Sequence, residues 1–467
     1  MSNVLDKAGQ EDGKGEGSNE NTNALHKSLR TLFLLTHFFG AIPSSFFQQA
    51  SNLTSFNVSN NTFTGYVPSS ICLHSSPSLR LLDFSSNVFN GNLAPGLGKC
   101  SKLQVFHASH NNLSGLLPED IYNATKLEEI SLPCNSLHGA ISDRIANLTN
   151  LAILDLYFNH FGGELPPNLG KLSKLKLVTL DFNNLEGSLP PSLMNCTNLV
   201  ELRLGSNNLE GDISILDFSR LNQLTKLDLR NNNFTGTVSV SLYSCKSLKA
   251  IALGRNHLEG QIEAEILSLK SLSFLSLGRG MLFDDDMVDF DGFQNLRFFG
   301  LGYCGLTCQI PVWLSKLKNI EILLMGSNQI TRPIPSCVNV GDPLPLPQKL
   351  SSFPPLIDLY NNNISGYIPA EIGELQLLQE LDLNSNNFSG VIPDQISNFK
   401  NLEVLDLSRN HLSGIIPSSL ASLNFLKIFN AAYNNLKGPI PTSSQFQSFD
   451  AFAFEGNPKT LWCPTSK

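Results

Sequence analysis

The chain has 467 residues, a formal net charge of −8, and only 15% charged residues beside 41% hydrophobic ones. Soluble proteins average about 25% charged residues; here the shortfall is filled by Asn, Ser, Gly and Pro, which excludes a protein built on long solvated helices. The acidic balance without dense Lys/Arg clusters argues against a nucleic-acid partner, and no run approaches the ~20 apolar residues of a bilayer span.

Residues 1–28, rich in Gly, Glu, Asn and Lys, read as a disordered polar tail. The apolar stretch from Leu32 to Phe39 follows Lys27 and Arg30 and is interrupted by Thr36 and His37. It lies about 30 residues from Met1 and lacks a small-x-small cleavage site, so it reads as the remnant of a first repeat, closed by Gly40-Ala-Ile42-Pro43, rather than as a signal peptide.

A pattern LxxLxLxxNxLxGxIP then recurs in sixteen registers. Its Asn position falls at 61, 87, 111, 135, 159, 183, 207, 232, 256, 280, 304, 328, 362, 386, 410 and 434, and twelve of the fifteen gaps are 24 residues. A clean copy runs from Leu402 through Leu405, Leu407, Asn410, Leu412 and Gly414 to Ile416-Pro417; Gly280 and Cys304 depart from Asn. The LxL alternation predicts a short strand with its Leu residues inward. One such coil cannot bury its apolar edge alone, so coils must stack into a solenoid with a continuous core. The Asn amide, placed where the chain leaves the strand, can satisfy buried backbone groups, and successive copies predict an amide ladder. The Gly permits a turn closed to other residues, and the Ile/Leu-Pro pair forces an extended segment.

Positions flanking the inward Leu residues face the concave side, where solenoids bind partners. Read from copy to copy they give Tyr157, Phe158 and Phe182, then Arg203, Arg230, Arg255 and Arg279, then Tyr303. Arginine forks suit sulfate, carboxylate or phosphate oxygens, and exposed aromatics supply stacking area; the strip matches an acidic, tyrosine-containing peptide. Ser206 and Asn231 lie nearest to it for backbone hydrogen bonds. The alternative is that these arginines pair with Asp155, Asp181, Glu201 and Asp228 as a solvated charge mosaic.

Other constellations are weaker. His107 and His110 fall on opposite sides by strand parity with no carboxylate in register, so no metal is expected. Asp284–Asp286, Asp289 and Asp291 lack calcium-loop spacing and read as a solvated loop. The nine cysteines contain no CxxC pair, so zinc is not supported. Cys100, Cys196 and Cys245 recur in one setting and read as small buried thiols, although a Cys72–Cys100 bridge is open to an oxidising compartment. Asn-x-Ser/Thr sequons begin at Asn52, Asn57, Asn60, Asn112, Asn123, Asn147, Asn195, Asn233, Asn363 and Asn387. Those at Asn112, Asn233, Asn363 and Asn387 come with the repeat itself, so Asn123, Asn147 and Asn195 are the better sign of a secreted glycoprotein.

With its LxGxIP half, the repeat from residue 31 to about 457 resembles the plant-specific leucine-rich repeat. The implied fold is α/β, a right-handed solenoid of about 16–17 such repeats with short parallel strands on the concave face, spanning residues 29–441. Gly438-Pro-Ile-Pro to Phe449, then Phe454-Glu-Gly-Asn457-Pro, resembles the end cap of plant receptor kinases, making 442–467 a cap remnant. Ser69-Ser-Ile-Cys72, Ser76 to Phe84, Ile392 to Ser397 and Leu412-Ser-Gly resemble the tyrosine-sulfated glycopeptide and phytosulfokine receptor ectodomains. That resemblance implies an extracellular or plasma-membrane ectodomain that binds a small secreted peptide carrying sulfated tyrosines and meets a co-receptor leucine-rich-repeat kinase, around Arg409 and Tyr433, without a cofactor. The family's ligand-holding island is shortened here. The gap from Asn328 to Asn362 leaves ten residues more than a 24-residue repeat, and residues 336–355, with Cys337 and Pro343 to Pro347, are either a binding remnant or a Pro-rich surface loop. No Gly-rich loop, VAIK, HRD or DFG motif occurs, so no enzyme is expected. The rival reading is a truncated receptor-like protein acting as a decoy or in pathogen recognition.

Overall fold

The computed structural model describes residues 29–34, 37–74, 78–279, 292–307, 319–334, 354–443, 445–458 and 461–462. The tail of residues 1–28, residues 336–353 of the insertion, the acidic run at 284–291, and Cys308, Cys337 and Cys463 lie outside them. The chain forms two compact units, Met1–Phe234 and Thr235–Lys467.

In the first unit, each coil contributes one three-residue strand to a parallel main sheet, from Thr31–Phe33 to Lys226–Asp228. The central residue of each strand stacks on that of its neighbour: Leu32 pairs with Phe56, Phe56 with Leu82, Leu82 with Phe106 and Phe106 with Ile130. Phe56, Leu82, Phe106 and Ile130 are all fully buried, each contributing about 2 kcal/mol of hydrophobic stabilisation. The first of these strands takes in Leu32 and Phe33 of the Leu32–Phe39 stretch and Phe39 opens the second sheet, so the described residues at both ends of that stretch join the stack. A second parallel sheet, from Phe39–Ala41 to Asn208–Asp212, carries the NxLxG half of each repeat. The opposite side of each coil closes through short 3₁₀ helices such as Glu119–Asn123 and Asp143–Asn147; the only α-helices among the described residues, Ser45–Gln49 and Ile71–His74, span five and four residues.

The second unit repeats the plan, with main-sheet strands from Ala250–Ala252 to Ile428–Asn430. Its second sheet holds four strands, Ser365–Tyr367, Asn387–Val391, His411–Gly414 and Asn435–Leu436. Gly390 shows why the repeat needs its glycine: φ is +78°, and a Cβ there would sit 2.3 Å from the ring of Tyr367 on the preceding coil. Leu461–Trp462 pairs in parallel with Gly438–Pro439.

The amide ladder is present. Asn183, 8% exposed, donates from Nδ2 to Leu156 O of the preceding coil and to Leu180 O of its own, both at 3.0 Å, and accepts from Phe161 N at 2.9 Å. Asn135, Asn159, Asn207 and Asn410 repeat that pattern. Cys304, where the sequence departs, offers only a thiol 3.9 Å from Leu277 O. Burial pushes that thiol up to about 12, so it stays protonated and acts as a weak donor in the amide's place.

One cysteine expectation is corrected. Cys100 is not a buried thiol like Cys196 and Cys245 but is bridged to Cys72. The helix carrying Cys72 packs against the 3₁₀ turn Leu97–Lys99, which brings the two residues together.

Replacing a ladder amide should be costly, because it orphans one buried N–H, that of Phe161, at about 1–3 kcal/mol and takes one of two amide donors from each of the Leu156 and Leu180 carbonyls, which keep Asn159 and Asn207. Asn183→Ala is expected to lose about 3 kcal/mol in urea denaturation, whereas Ala at the exposed neighbour Asn184 should stay within about 0.5 kcal/mol. Equal effects at the two positions would contradict the ladder.

Candidate ligand-recognition surface

The residue before every ladder position adopts a left-handed conformation. Across all sixteen coils φ runs from +51° at His110 to +62° at Arg279. The geometry points each N–H at a carbonyl of the next coil: Phe158 N to Asp181 O and Phe182 N to Gly205 O, both 2.9 Å, and Arg279 N to Gly302 O and Tyr303 N to Gly326 O, both 3.0 Å. The side chain is thereby turned outward. Asn tolerates this region; Phe, Arg and Tyr pay for it with about 1–2 kcal/mol of strain.

Five of the eight candidate residues, Phe158, Phe182, Arg255, Arg279 and Tyr303, occupy this turn column rather than the strands. Only Arg203 lies in a strand, at its last position. Tyr157 and Arg230 sit one residue before the turn column. The strip read from the sequence is therefore three columns, and the structure brings its members together in smaller groups.

In the first unit, Tyr157, Phe158 and Phe182 form an aromatic cluster with ring centroids 5.6–6.1 Å apart. Phe158 is 55% and Phe182 40% exposed. Arg203 Nε lies 3.0 Å from Asp181 Oδ2, and its guanidinium is 6.0 Å from the Tyr157 ring. Arg230 Nε lies 3.5 Å from Asp228 Oδ2. These two arginines are charge-compensated, as the mosaic alternative requires, yet the mosaic is not solvated: Asp181 is fully buried and Asp228 nearly so. Asp181 Oδ1 accepts from Gly205 N at 2.9 Å, while Oδ2 and Arg203 Nε are close without an aligned hydrogen bond. Burial lifts the Asp181 carboxyl to about 6 against the pull of Arg203, with Asp228 adding to the rise; burial also lifts Asp228 and Asp155.

In the second unit, Arg255 and Arg279 are exposed, and among the described residues neither has a carboxylate within salt-bridge distance. Arg279 stacks over Tyr303 with its guanidinium carbon 4.3 Å from the ring centroid. The Tyr303 hydroxyl is hydrogen-bonded to that of Tyr360, two coils on. They meet because Gly326 intervenes: a Cβ there would lie 2.3 Å from the Tyr360 ring. Hydrogen bonds from Ser327, Tyr360 and Arg279 bring the Tyr303 phenol down to about 8.

Beside this wall runs a feature the sequence reading missed. The position before the turn column is glycine on four successive coils, Gly254, Gly278, Gly302 and Gly326, and a Cβ on Gly254 or Gly278 would fall 2.6–2.7 Å from the carbonyl of the next glycine. The neighbouring strand-end position is Ala252, Ser276 and Gly300. Beyond it, Phe274 and Phe298 stack at 4.1 Å, half-buried. A strip poor in side chains thus lies between an aromatic pair and Arg255, Arg279 and Tyr303. The signal was legible in Leu253-Gly-Arg, Leu277-Gly-Arg, Leu301-Gly-Tyr and Met325-Gly-Ser at 24-residue spacing.

His107 is a correction to the expectation that no carboxylate is in register, since its Nε2 lies 3.0 Å from Glu129 Oε2 on the adjacent strand. His110 is in the turn column instead, and among the described residues no three metal-ligating side chains converge.

The buried Asp181 gives a pH signature. Folded, it keeps its proton to about pH 6; unfolded, it loses it near 3.8. The native state therefore binds more protons between these values, and the stability it confers falls as pH rises from about 4 to about 6. Asp181→Asn removes this titration, so wild type should lose up to about 3 kcal/mol relative to the variant across that window and nothing further above it. Parallel thermal melts from pH 4 to 8 test this; a gap constant with pH would contradict it.

Sequence and structure comparisons agree with this architecture. The Leucine Rich Repeat family model matches residues 52–73, 102–124, 150–172 and 223–245, and a further Leucine rich repeat model matches 376–436. The ectodomain of the plant membrane receptor kinase GASSHO1/SCHENGEN3 from Arabidopsis thaliana, solved with Casparian strip integrity factor 2, superposes with a TM-score of 0.76 at 30% identity. That match covers 94% of this chain and 54% of the other. The PEPR1–AtPEP1 complex gives a TM-score of 0.59 at 27% identity, covering 93% of this chain and 73% of that one. Receptor-like protein 3 of Arabidopsis thaliana is 51% identical over 65 residues, 14% of this chain and 8% of its own length. The chain thus spans about half of the GASSHO1/SCHENGEN3 chain and under a tenth of receptor-like protein 3. It is a solenoid of leucine-rich repeats, similar along nearly its whole length to the ectodomain of a plant membrane receptor kinase.

Proposed function

We propose that this chain is the ligand-binding ectodomain of a plant receptor-like protein and that it recognises a small secreted peptide bearing an anionic group, a sulfated tyrosine in the reading favoured by its sequence. The observation that carries this is the second unit's turn column, where Arg255, Arg279 and Tyr303 are held outward in a strained conformation beside a floor of glycines. Strain retained in exposed side chains that fill no part of the core points to a functional site. Arg279 stacked on Tyr303 presents the edge of a planar fork, suited to sulfate oxygens. The glycines let an extended peptide backbone approach the coils, and Phe274 with Phe298 offers an apolar ledge to its side chains.

The aromatic cluster of Tyr157, Phe158 and Phe182 is a separate contact patch in the first unit. Arg203 and Arg230 bind anions poorly there, because their charge is already spent on Asp181 and Asp228. The last coils, where Arg409 stacks over Tyr433 at 4.9 Å, are assigned to a co-receptor leucine-rich-repeat kinase. Two similar structures were solved with Casparian strip integrity factor 2 and with AtPEP1, which supports binding of a separate ligand as the class of function.

The test is a calorimetric titration of the secreted chain with a tyrosine-sulfated pentapeptide and with its unsulfated twin. Tighter binding of the sulfated form is expected, weakened about tenfold by Arg255→Ala or Arg279→Ala, the loss of one charge-assisted contact. Arg203→Ala should change it less than threefold. Equal, negligible binding of both peptides by folded protein would overturn the reading.

A further inference from the structure

We infer that Asn123, Asn147 and Asn195 are N-glycan acceptors forming one sugar-bearing column on the 3₁₀-helix side of the coils, whereas the sequons at Asn57 and Asn387 stay unmodified. The three acceptors are structurally equivalent. Each is the last residue of a five-residue 3₁₀ helix, Glu119–Asn123, Asp143–Asn147 and Pro191–Asn195, and each is exposed. In two of them the carbonyl end of the amide is already fixed. Asn123 Oδ1 accepts from Arg144 at 2.8 Å and Asn195 Oδ1 from Arg220 at 2.5 Å, each arginine coming from the following coil. That leaves Nδ2, the atom that would carry the sugar, on an exposed side chain with no hydrogen-bond acceptor among the described residues.

Asn57 and Asn387 differ in kind. Asn57 is half-buried in a main-sheet strand, where its Nδ2 donates to Asp83 Oδ2 at 3.0 Å and its Oδ1 accepts from Ser59 N at 2.9 Å. Asn387, half-buried in the second sheet, donates from Nδ2 to Asn363 Oδ1. A sugar on either would stand against the neighbouring coil that its Nδ2 already contacts. The other five sequons are exposed, and these contacts do not separate them.

The chemistry is a group transfer from a lipid pyrophosphate-linked oligosaccharide. The Asn Nδ2 forms a bond to the anomeric carbon as the bond from that carbon to the pyrophosphate oxygen breaks. The lipid pyrophosphate leaves with the electron pair, and the amide gives up one proton to a base of the transferring enzyme. The hydroxyl that completes each acceptor is Thr125, Thr149 or Thr197. Sugars here would close the 3₁₀-helix side to partners and leave the strand side open.

The chain, led into the secretory pathway of plant cells by a heterologous signal sequence, is digested and deglycosylated by amidase in heavy-oxygen water, and each sequon is scored by mass spectrometry. Label at Asn123, Asn147 and Asn195 with none at Asn57 or Asn387 is expected. Thr125→Ala, Thr149→Ala and Thr197→Ala should each remove one glycan while keeping the Asn side chain, and melting should stay unchanged apart from the sugar's own contribution. Empty acceptors at all three column positions in secreted, folded protein, or occupancy at Asn57 and Asn387 as high as in the column, would overturn the proposal.

Discussion

The structure depends on a side-chain amide that stands in for backbone. A coil of about 24 residues has too few internal hydrogen bonds to satisfy itself, and where it leaves the strand its N–H and C=O groups are buried. Asn183 resolves this by bonding the carbonyls of Leu156 and Leu180 and the N–H of Phe161, so the accounting closes only between coils. Stacking is thus required by hydrogen bonding as much as by the apolar column of Phe56, Leu82, Phe106 and Ile130.

The same constraint creates the display surface. For the amide to reach both coils, the residue before it must turn left-handed and send its own N–H to the next coil. Its side chain then has nowhere to go but outward. Most coils place Ser, Asn, His or Cys there. Phe158, Phe182, Arg255, Arg279, Tyr303, Arg409 and Tyr433 are larger than the backbone needs and strain it. Display and scaffold are separable for that reason: the identity of the turn residue is free of packing, and its position is not.

Much of this was legible in the sequence because the repeat states its physics locally. Leu405-Asp-Leu407 spells a strand, Asn410 a ladder rung and Gly414 a turn, each within one copy. The candidate residues were legible as types; their grouping was not, because it depends on contacts between copies. The Arg203–Asp181 and Arg279–Tyr303 pairs join residues 22 and 24 positions apart, and only coil-to-coil geometry tells a neutralised arginine from an available one. The Cys72–Cys100 bridge likewise needed the packing of two back-side turns. The glycine run was missed because glycine was read as a turn former, whereas here four glycines matter for the side chains they omit.

The central claim is that the turn column on the strand side, and not the second sheet, receives the ligand. Hydroxyl-radical footprinting of the chain with and without saturating tyrosine-sulfated peptide tests it directly, since aromatic rings report on both surfaces. The account predicts that Tyr303 loses reactivity on binding, while Tyr66, just after the second-sheet strand Thr62–Gly65, and Tyr367, the last residue of Ser365–Tyr367, each 70% exposed, do not change. Protection of Tyr66 or Tyr367 with Tyr303 as reactive as in the free chain would contradict it.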